Sequence, residues 1–219
     1  MGLDYHSHTN TAIDTLLKKN MDQEIEDIQQ KLEVHDEILL AALQLFAKNG
    51  YFNTSLIDIK DAAGINTIGI IHKQFKTKQA IAAKLYENIH NSLSHSVDEI
   101  KLKNENSSEQ LRAIVDLFFK LTEDAPDVMR FLLITKVSEF IPEAQALCDS
   151  AAVKKIIRII DEGISTGEIR SMSSQLAYAH FFGIIENTLR LKLTGFLDKK
   201  AEFYQAQAWL AAWNAIVKK

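Results

Sequence analysis

The sequence predicts an all-α protein, and three observations carry that prediction. Apolar residues recur every three or four positions along most of the 219-residue chain, the spacing of one helix face. Only 8 Gly and 2 Pro are present and β-rich runs are scarce, so the connections are short. Gly50, Gly64, Gly167 and Gly195 follow periodic stretches, where a helix stops or turns. The expected architecture is an extra N-terminal amphipathic helix, a helix-turn-helix unit of three short helices, and a larger C-terminal helical domain. The expected boundaries are 1–33, 34–80 and 81–219.

Composition narrows the class. Hydrophobic residues make up 47% and charged residues 25%, ordinary for a soluble globular protein. The net charge of -4 gives no overall basic surface, so a nucleic-acid partner would need a local basic patch. Lys73, Lys76 and Lys78 form a small one. The single Cys148 excludes an intrachain disulfide and an all-Cys zinc site, and is compatible with a reducing cytoplasm. The N-terminus lacks the basic-then-apolar pattern of a secretory signal, and no apolar run reaches the roughly 20 residues that span a bilayer. A cytoplasmic protein is expected.

Residues 1–10 are polar and read as a tail; His6 and His8 have no acidic or Cys neighbours with which to hold a metal. Ile13, Leu17, Met21, Ile25, Ile28 and Leu32 then mark an amphipathic, acidic helix over 11–33, expected to run close to or into the next. Its charge would be repelled by DNA phosphates, so it is expected to pack on protein. From 38 to 48, Leu39, Ala42, Leu43, Phe46 and Ala47 share one face, and Gly50 stops the helix. Thr54 or Ser55 caps a second helix over 56–63, Gly64 turns the chain, and a third short helix covers about 66–72. Leu39, Leu43, Phe46, Leu56, Ile59 and Ala62 are its expected core, with Tyr51 and Phe52 packed on it. Two short helices joined by a Gly turn over a supporting helix is the pattern of a helix-turn-helix DNA reader.

The run AALQLFAKNGYFNTSLIDIKDAAGI followed by IHKQFKTKQAI resembles the N-terminal domain of tetracycline-repressor (TetR) family transcriptional regulators. The shared features are Gly50-Tyr51 ending a helix, Thr54-Ser55 capping the next, the Ala63-Gly64-Ile65 turn, and Phe75 ahead of a loop whose Lys78 opens the fourth helix. Close resemblance spans about fifty residues; the rest is similar in helix pattern and length. Two features depart from it: the turn-to-Phe segment is one residue longer, and His72 stands where a phosphate-touching Tyr is common.

The resemblance and the residue types together place DNA contact on the third helix and its flanks. Asn66 and Thr67 are small hydrogen-bonding residues at its N-terminal end. Ile68 and Ile70 are apolar enough for thymine methyls, and Gly69 allows close approach. His72, Lys73 and Thr77 are the expected phosphate contacts, and Thr54, Ser55 and Lys78, at the start of the next helix, complete the expected DNA-binding set. No Arg lies between 38 and 86, so bidentate Arg-to-guanine readout is not available there.

After the break at 101–108, five further helices are expected: 109–122 capped by Ser107 or Ser108, 127–136 after Pro126, a segment from Pro142 through Cys148 toward 164, 175–194 capped by Ser173 or Ser174, and 201–217 capped by Asp198. The resemblance implies a homodimer through the last two helices and a small-molecule pocket in the C-terminal domain. Phe118, Phe119, Met129, Phe131, Leu132, Cys148, His180 and Asn187 are the pocket candidates. Trp209 and Trp213 suit either the intrachain core or the dimer interface. Glu186 and Arg190, four apart, are expected to pair, although either could face a ligand.

The leading reading is therefore a dimeric transcriptional regulator, a repressor by resemblance. It binds a palindromic double-stranded operator and responds to a small apolar or amphipathic effector, with no cofactor. The alternative is a ligand-binding protein of the same fold that no longer reads DNA specifically. An enzyme is the weakest reading, since no Ser-His-Asp order, phosphate loop or metal spacing stands out.

Overall fold

The computed structural model describes residues 5–141 and 150–219, with the side chains of the first helix given at 23 and 26 and from 28 onward. Nine α-helices make up the described residues: α1 (Tyr5–Asn49), α2 (Leu56–Ala62), α3 (Ile68–Gln74), α4 (Lys78–Lys103), α5 (Ser107–Asp124), α6 (Pro126–Leu133), α7 (Ala151–Thr166), α8 (Ser174–Leu193) and α9 (Ala201–Ile216). A 3₁₀ turn, Val137–Glu139, follows α6.

The acidic segment and the first helix of the helix-turn-helix unit are one helix, the 45-residue α1. Nothing in 34–38 breaks it, because neither Gly nor Pro occurs there. Ile28 and Leu32 are exposed, while Ile38, Leu39, Ala42 and Phe46 are buried, so among its described side chains the apolar stripe meets the protein only toward its C-terminal part. The side chains of His6, His8 and the stripe residues 13–25 lie outside the described ones, as does the segment 142–149 with Cys148.

Gly50 follows α1 at φ +82°, where a side chain would be strained, and its N–H bonds to Phe46 O. Ser55 caps α2 reciprocally with Asp58: Oγ accepts from the Asp58 N–H at 3.1 Å, and the carboxylate accepts the Ser55 N–H at 2.7 Å. Gly64 turns at φ +67° into α3. Ile59, Ile65, Ile71 and Phe75 close this head over α1, with Ile81 and Leu85 of α4 beneath. Ala62 is exposed rather than core, and Ala63 supplies the packing. Tyr51 is buried, but Phe52 is 72% exposed and meets the Tyr51 ring edge-on.

The body packs α5, α7, α8 and α9 around Leu111, Ile114, Phe119, Ile159, Phe181, Ile185 and Ala212. Two expected caps differ. Asn106, not Ser107 or Ser108, caps α5 by accepting from the Glu109 N–H at 2.9 Å. The Ser107 and Ser108 N–H groups are taken by the Glu168 carboxylate at 3.2 and 3.0 Å. The residue before α9 is Lys200, without a side-chain cap; Asp198 instead accepts from the Tyr204 hydroxyl. Trp209 and Trp213 stack at 5.5 Å and pack, half-buried, against the body core. Among the described residues no helix is long and apolar enough to cross a membrane.

Head and body are joined by aromatic rings. Phe131 of α6 and Phe140 just beyond the 3₁₀ turn are buried in the head cluster. Phe131 stacks on Phe46 at 6.1 Å and on Phe140 at 5.6 Å, and Phe140 meets Tyr51 at 5.5 Å.

Gly163 lies buried in α7, where an added Cβ would come within 2.7 Å of Ile169 Cδ1 and 3.0 Å of Ser107 Cβ. Overpacking costs roughly 1–3 kcal/mol, against about 1 kcal/mol gained in helix propensity. Gly163→Ala is therefore expected to lower stability by about 1 kcal/mol in urea unfolding, although the same change favours an isolated helix.

Candidate functional site

The exposed face of the head is built by α3 and its flanks. Asn66 and Thr67 stand in the open at the N-terminal end of α3, and Thr67 is its N-cap residue without a side-chain cap bond. Gly69 and Ile70 are exposed next to them, Ile70 by 36%. Ile68 is half-buried against the head core, and Ile65 and Ile71 are fully inside it. His72 and Lys73 are exposed in the last turn. Thr77 faces solvent while its Oγ1 caps α4, accepting from the Ala80 N–H at 3.1 Å. This is a surface of small polar groups, one exposed Ile and two basic side chains, at the end of a helix short enough to enter a groove end-on.

Two residues expected on this face are committed elsewhere. Thr54 is 1% exposed, and its hydroxyl donates to Gly50 O at 2.9 Å, so the capping of α2 falls to Ser55 alone. Lys78 turns inward. Its Nζ donates to Tyr51 O and Thr54 O, both at 2.8 Å, and lies 4.3 Å from the centre of the Tyr51 ring. Burial holds its ammonium below the usual lysine range. Its side chain is a clasp between α4 and the α1–α2 turn rather than a phosphate contact.

The second feature is a cavity of about 100 Å³ within the body. Tyr86, His90 and Leu93 of α4 form one wall. Leu132 and Leu133 of α6, with Val137, form another, and Ala152, Val153 and Ile156 of α7 a third. Phe118 of α5 and Tyr178, Phe182 and Glu186 of α8 close it. A cavity of about 150 Å³ accommodates benzene, so this space takes less than one ring unless a wall moves.

Of the residues expected here, Phe118 and Leu132 line the cavity. Phe119 and Met129 are buried in the body core behind it. Phe131 faces the opposite way, into the head cluster. His180 is exposed and off the wall, and the exposed Asn187 accepts from Arg190 Nη2 at 2.6 Å. Arg190 thus bonds Asn187, and Glu186 faces the cavity. Cys148 lies outside the described residues.

Of the polar lining residues, Glu186 was open as a ligand-facing group from the sequence, whereas Tyr86, His90 and Tyr178 were missed. Burial pushes the Glu186 carboxyl up, opposed by a hydrogen bond from Tyr178. His90 Nδ1 lies 2.8 Å from Ser150 Oγ, while its buried Nε2 has no partner among the described residues, and burial lowers the ring's pKa. A signal was present for His90, which sits four before Ser94 and seven before Val97 on the buried side of α4. Among the described residues no group of three His, Cys, Asp or Glu is placed to hold a metal.

Two outcomes follow. Lys78→Met leaves the Tyr51 and Thr54 carbonyls short of a charged donor and is expected to cost about 2 kcal/mol in denaturant unfolding. His90 titrates near 6.5 when unfolded and lower when folded, so the unfolded chain binds more protons between the two values. Its contribution to stability is intact above about pH 7 and is lost as pH falls through 6.5. Unfolding of wild type and His90→Gln across this window should show a shallower slope for the variant.

A model of the bacterial regulatory proteins of the tetR family matches residues 38–85. The fatty acid metabolism regulator protein of Bacillus subtilis is 24% identical over 167 residues, covering 74% of this chain and 84% of its own. A TetR family transcription regulator from Marinobacter aquaeolei has the same fold, with a TM-score of 0.74 at 20% identity over 87% of this chain and 99% of its own. FadR from Bacillus subtilis in complex with stearoyl-CoA superposes with a TM-score of 0.65 at 19% identity, over 82% of this chain and 98% of its own. The head at residues 38–85 thus matches the tetR family of bacterial regulatory proteins, and the chain as a whole shares its fold with solved TetR family transcription regulators.

Proposed function

We propose that the chain is a homodimeric repressor. It reads a palindromic operator through α3 and loses DNA affinity when a small apolar or amphipathic effector occupies the body cavity. The division follows the expected boundaries: an extension over 1–33, a DNA-binding head over 34–80 and an effector and dimer domain over 81–219. One observation carries the reading. The segment from α6 through the 3₁₀ turn has two sides: Leu132, Leu133 and Val137 line the cavity, while Phe131 and Phe140 sit in the head core. A ligand that parts the cavity wall displaces the rings on which Phe46 and Tyr51 rest, and with them the base of the head. Coupling of about 1–3 kcal/mol, typical of such linkage, changes DNA affinity 5- to 150-fold.

The operator contacts are Ser55, Asn66, Thr67, Gly69, Ile70, His72, Lys73 and the N-terminal end of α4. For the dimer, α8 and α9 expose Leu176, Phe203 and Leu210. A two-fold pair through these helices would present two α3 helices to two half-sites. The relatives named for fatty acid metabolism, one of them holding stearoyl-CoA, support an effector with an alkyl body. Such regulators act in the cytoplasm, where the DNA is. The second reading, a ligand-binding protein that has lost specific DNA recognition, is favoured by the inward turn of Lys78, which leaves His72, Lys73 and Lys76 as the basic groups near α3.

Selection from a random DNA pool at near-physiological salt is expected to recover a palindrome. Asn66→Ala should weaken that site by roughly 1–3 kcal/mol and relax one position. Lys73→Ala should weaken all sequences alike and reduce the salt slope by about 1. Recovery of nothing above background, with and without cell extract as a source of effector, would favour the second reading. For coupling, Phe140→Ala is expected to leave effector binding within about 3-fold while cutting the effector's influence on DNA affinity by roughly tenfold. Titrating effector with and without operator measures both.

A further inference from the structure

The cavity has a distinctive charge pattern. Glu186 is the one carboxylate among its described lining residues, and no Lys or Arg stands with it. Around the acid stand aromatic faces. Tyr178 stacks on Phe182 at 4.9 Å, and Phe118 meets Phe182 edge-on at 6.1 Å. Across from them Tyr86 lies 4.1 Å from the His90 ring, whose Nε2 is buried without a partner among the described residues.

A negative group and π faces in an apolar enclosure attract the same ligand. A cation is held by the carboxylate and by the electron-rich ring faces, and desolvation strengthens both. A carboxylate or phosphate would meet a like charge and no counter-charge, at the cost of burying an unpaired ion. A neutral head group falls between. We propose that the cavity selects a lipophilic monocation, an alkyl- or arylammonium, over a carboxylate, with Glu186 as the specificity-determining residue. This rests on the reading of the cavity as the effector site and names the head group that the alkyl body carries. It separates this chain from its stearoyl-CoA-binding relative, because the phosphates of coenzyme A would find no partner in this lining.

The test is calorimetric titration of the full chain with three probes of equal chain length below their micelle concentrations: decyltrimethylammonium, decanol and decanoate. Decyltrimethylammonium is expected to bind at least about tenfold more tightly than decanoate, with decanol between them. Glu186→Gln, close to isosteric, should bring cation and anion within about 3-fold of each other and leave decanol unchanged. Glu186→Leu repeats the measurement should the glutamine variant fold poorly. Decanoate binding as tightly as the cation, or a ratio unmoved by both variants, would overturn the charge rule while decanol binding left the effector site standing. Failure of all three probes, decanol included, would overturn the cavity as the effector site and the inference with it.

Discussion

Contact between Phe131, Phe140, Phe46 and Tyr51 is the constraint on which the rest depends. The head is small: two of its helices have seven residues each, too few to stand alone in water. Its core is completed by rings from α6 and from the chain just after it, lent by the body. A head that borrows part of its core cannot take up its geometry independently of the lender. That dependence makes the unit stable, and it also makes it responsive.

The cavity lies on the other side of that same segment. Along α6, consecutive residues diverge: Phe131 enters the head and Leu132 the cavity wall. Packed interiors resist compression and shift between discrete arrangements. A body with room for less than one ring therefore accommodates a larger guest by moving an element, and the element bounding the space is also bedded in the head. Under the proposed function, binding and reading would be linked by shared side chains, with no need for a long relay.

Much of this was legible in the residues. Helix count, order and most ends followed from apolar spacing and the Gly stops, because both act within one or two turns of chain. The α3 surface was largely readable as well, since exposure of Asn66, Thr67, His72 and Lys73 follows from burying Ile65 and Ile71 on the other side. The cavity was not. Which of Phe118 and Phe119 faces inward depends on the crossing of α5 with α8, and periodicity says nothing about that angle. Phe131 was expected in the pocket because it is large and apolar, yet it serves a different core. Glu186 and Arg190 have ideal spacing for a pair, but Asn187 is closer to the arginine and the acid is held by Tyr178. Thr54 reads as a cap until Ser55 and Asp58 close their own reciprocal bond.

The inward turn of Lys78 bears on how a mutational map of this surface should be interpreted. A basic residue two positions from an exposed lysine, in a stretch proposed to touch a polyanion, invites assignment to the footprint. Its ammonium instead fastens the turn between α1 and α2, on whose pose Ser55 and the approach of α3 depend. Under the proposed function, a charge-removing change at 78 would silence binding through the scaffold, and equally for every sequence, the same signature as a lost backbone contact. Only the folding equilibrium tells the two apart: variants at 73 leave it intact, and variants at 78 do not.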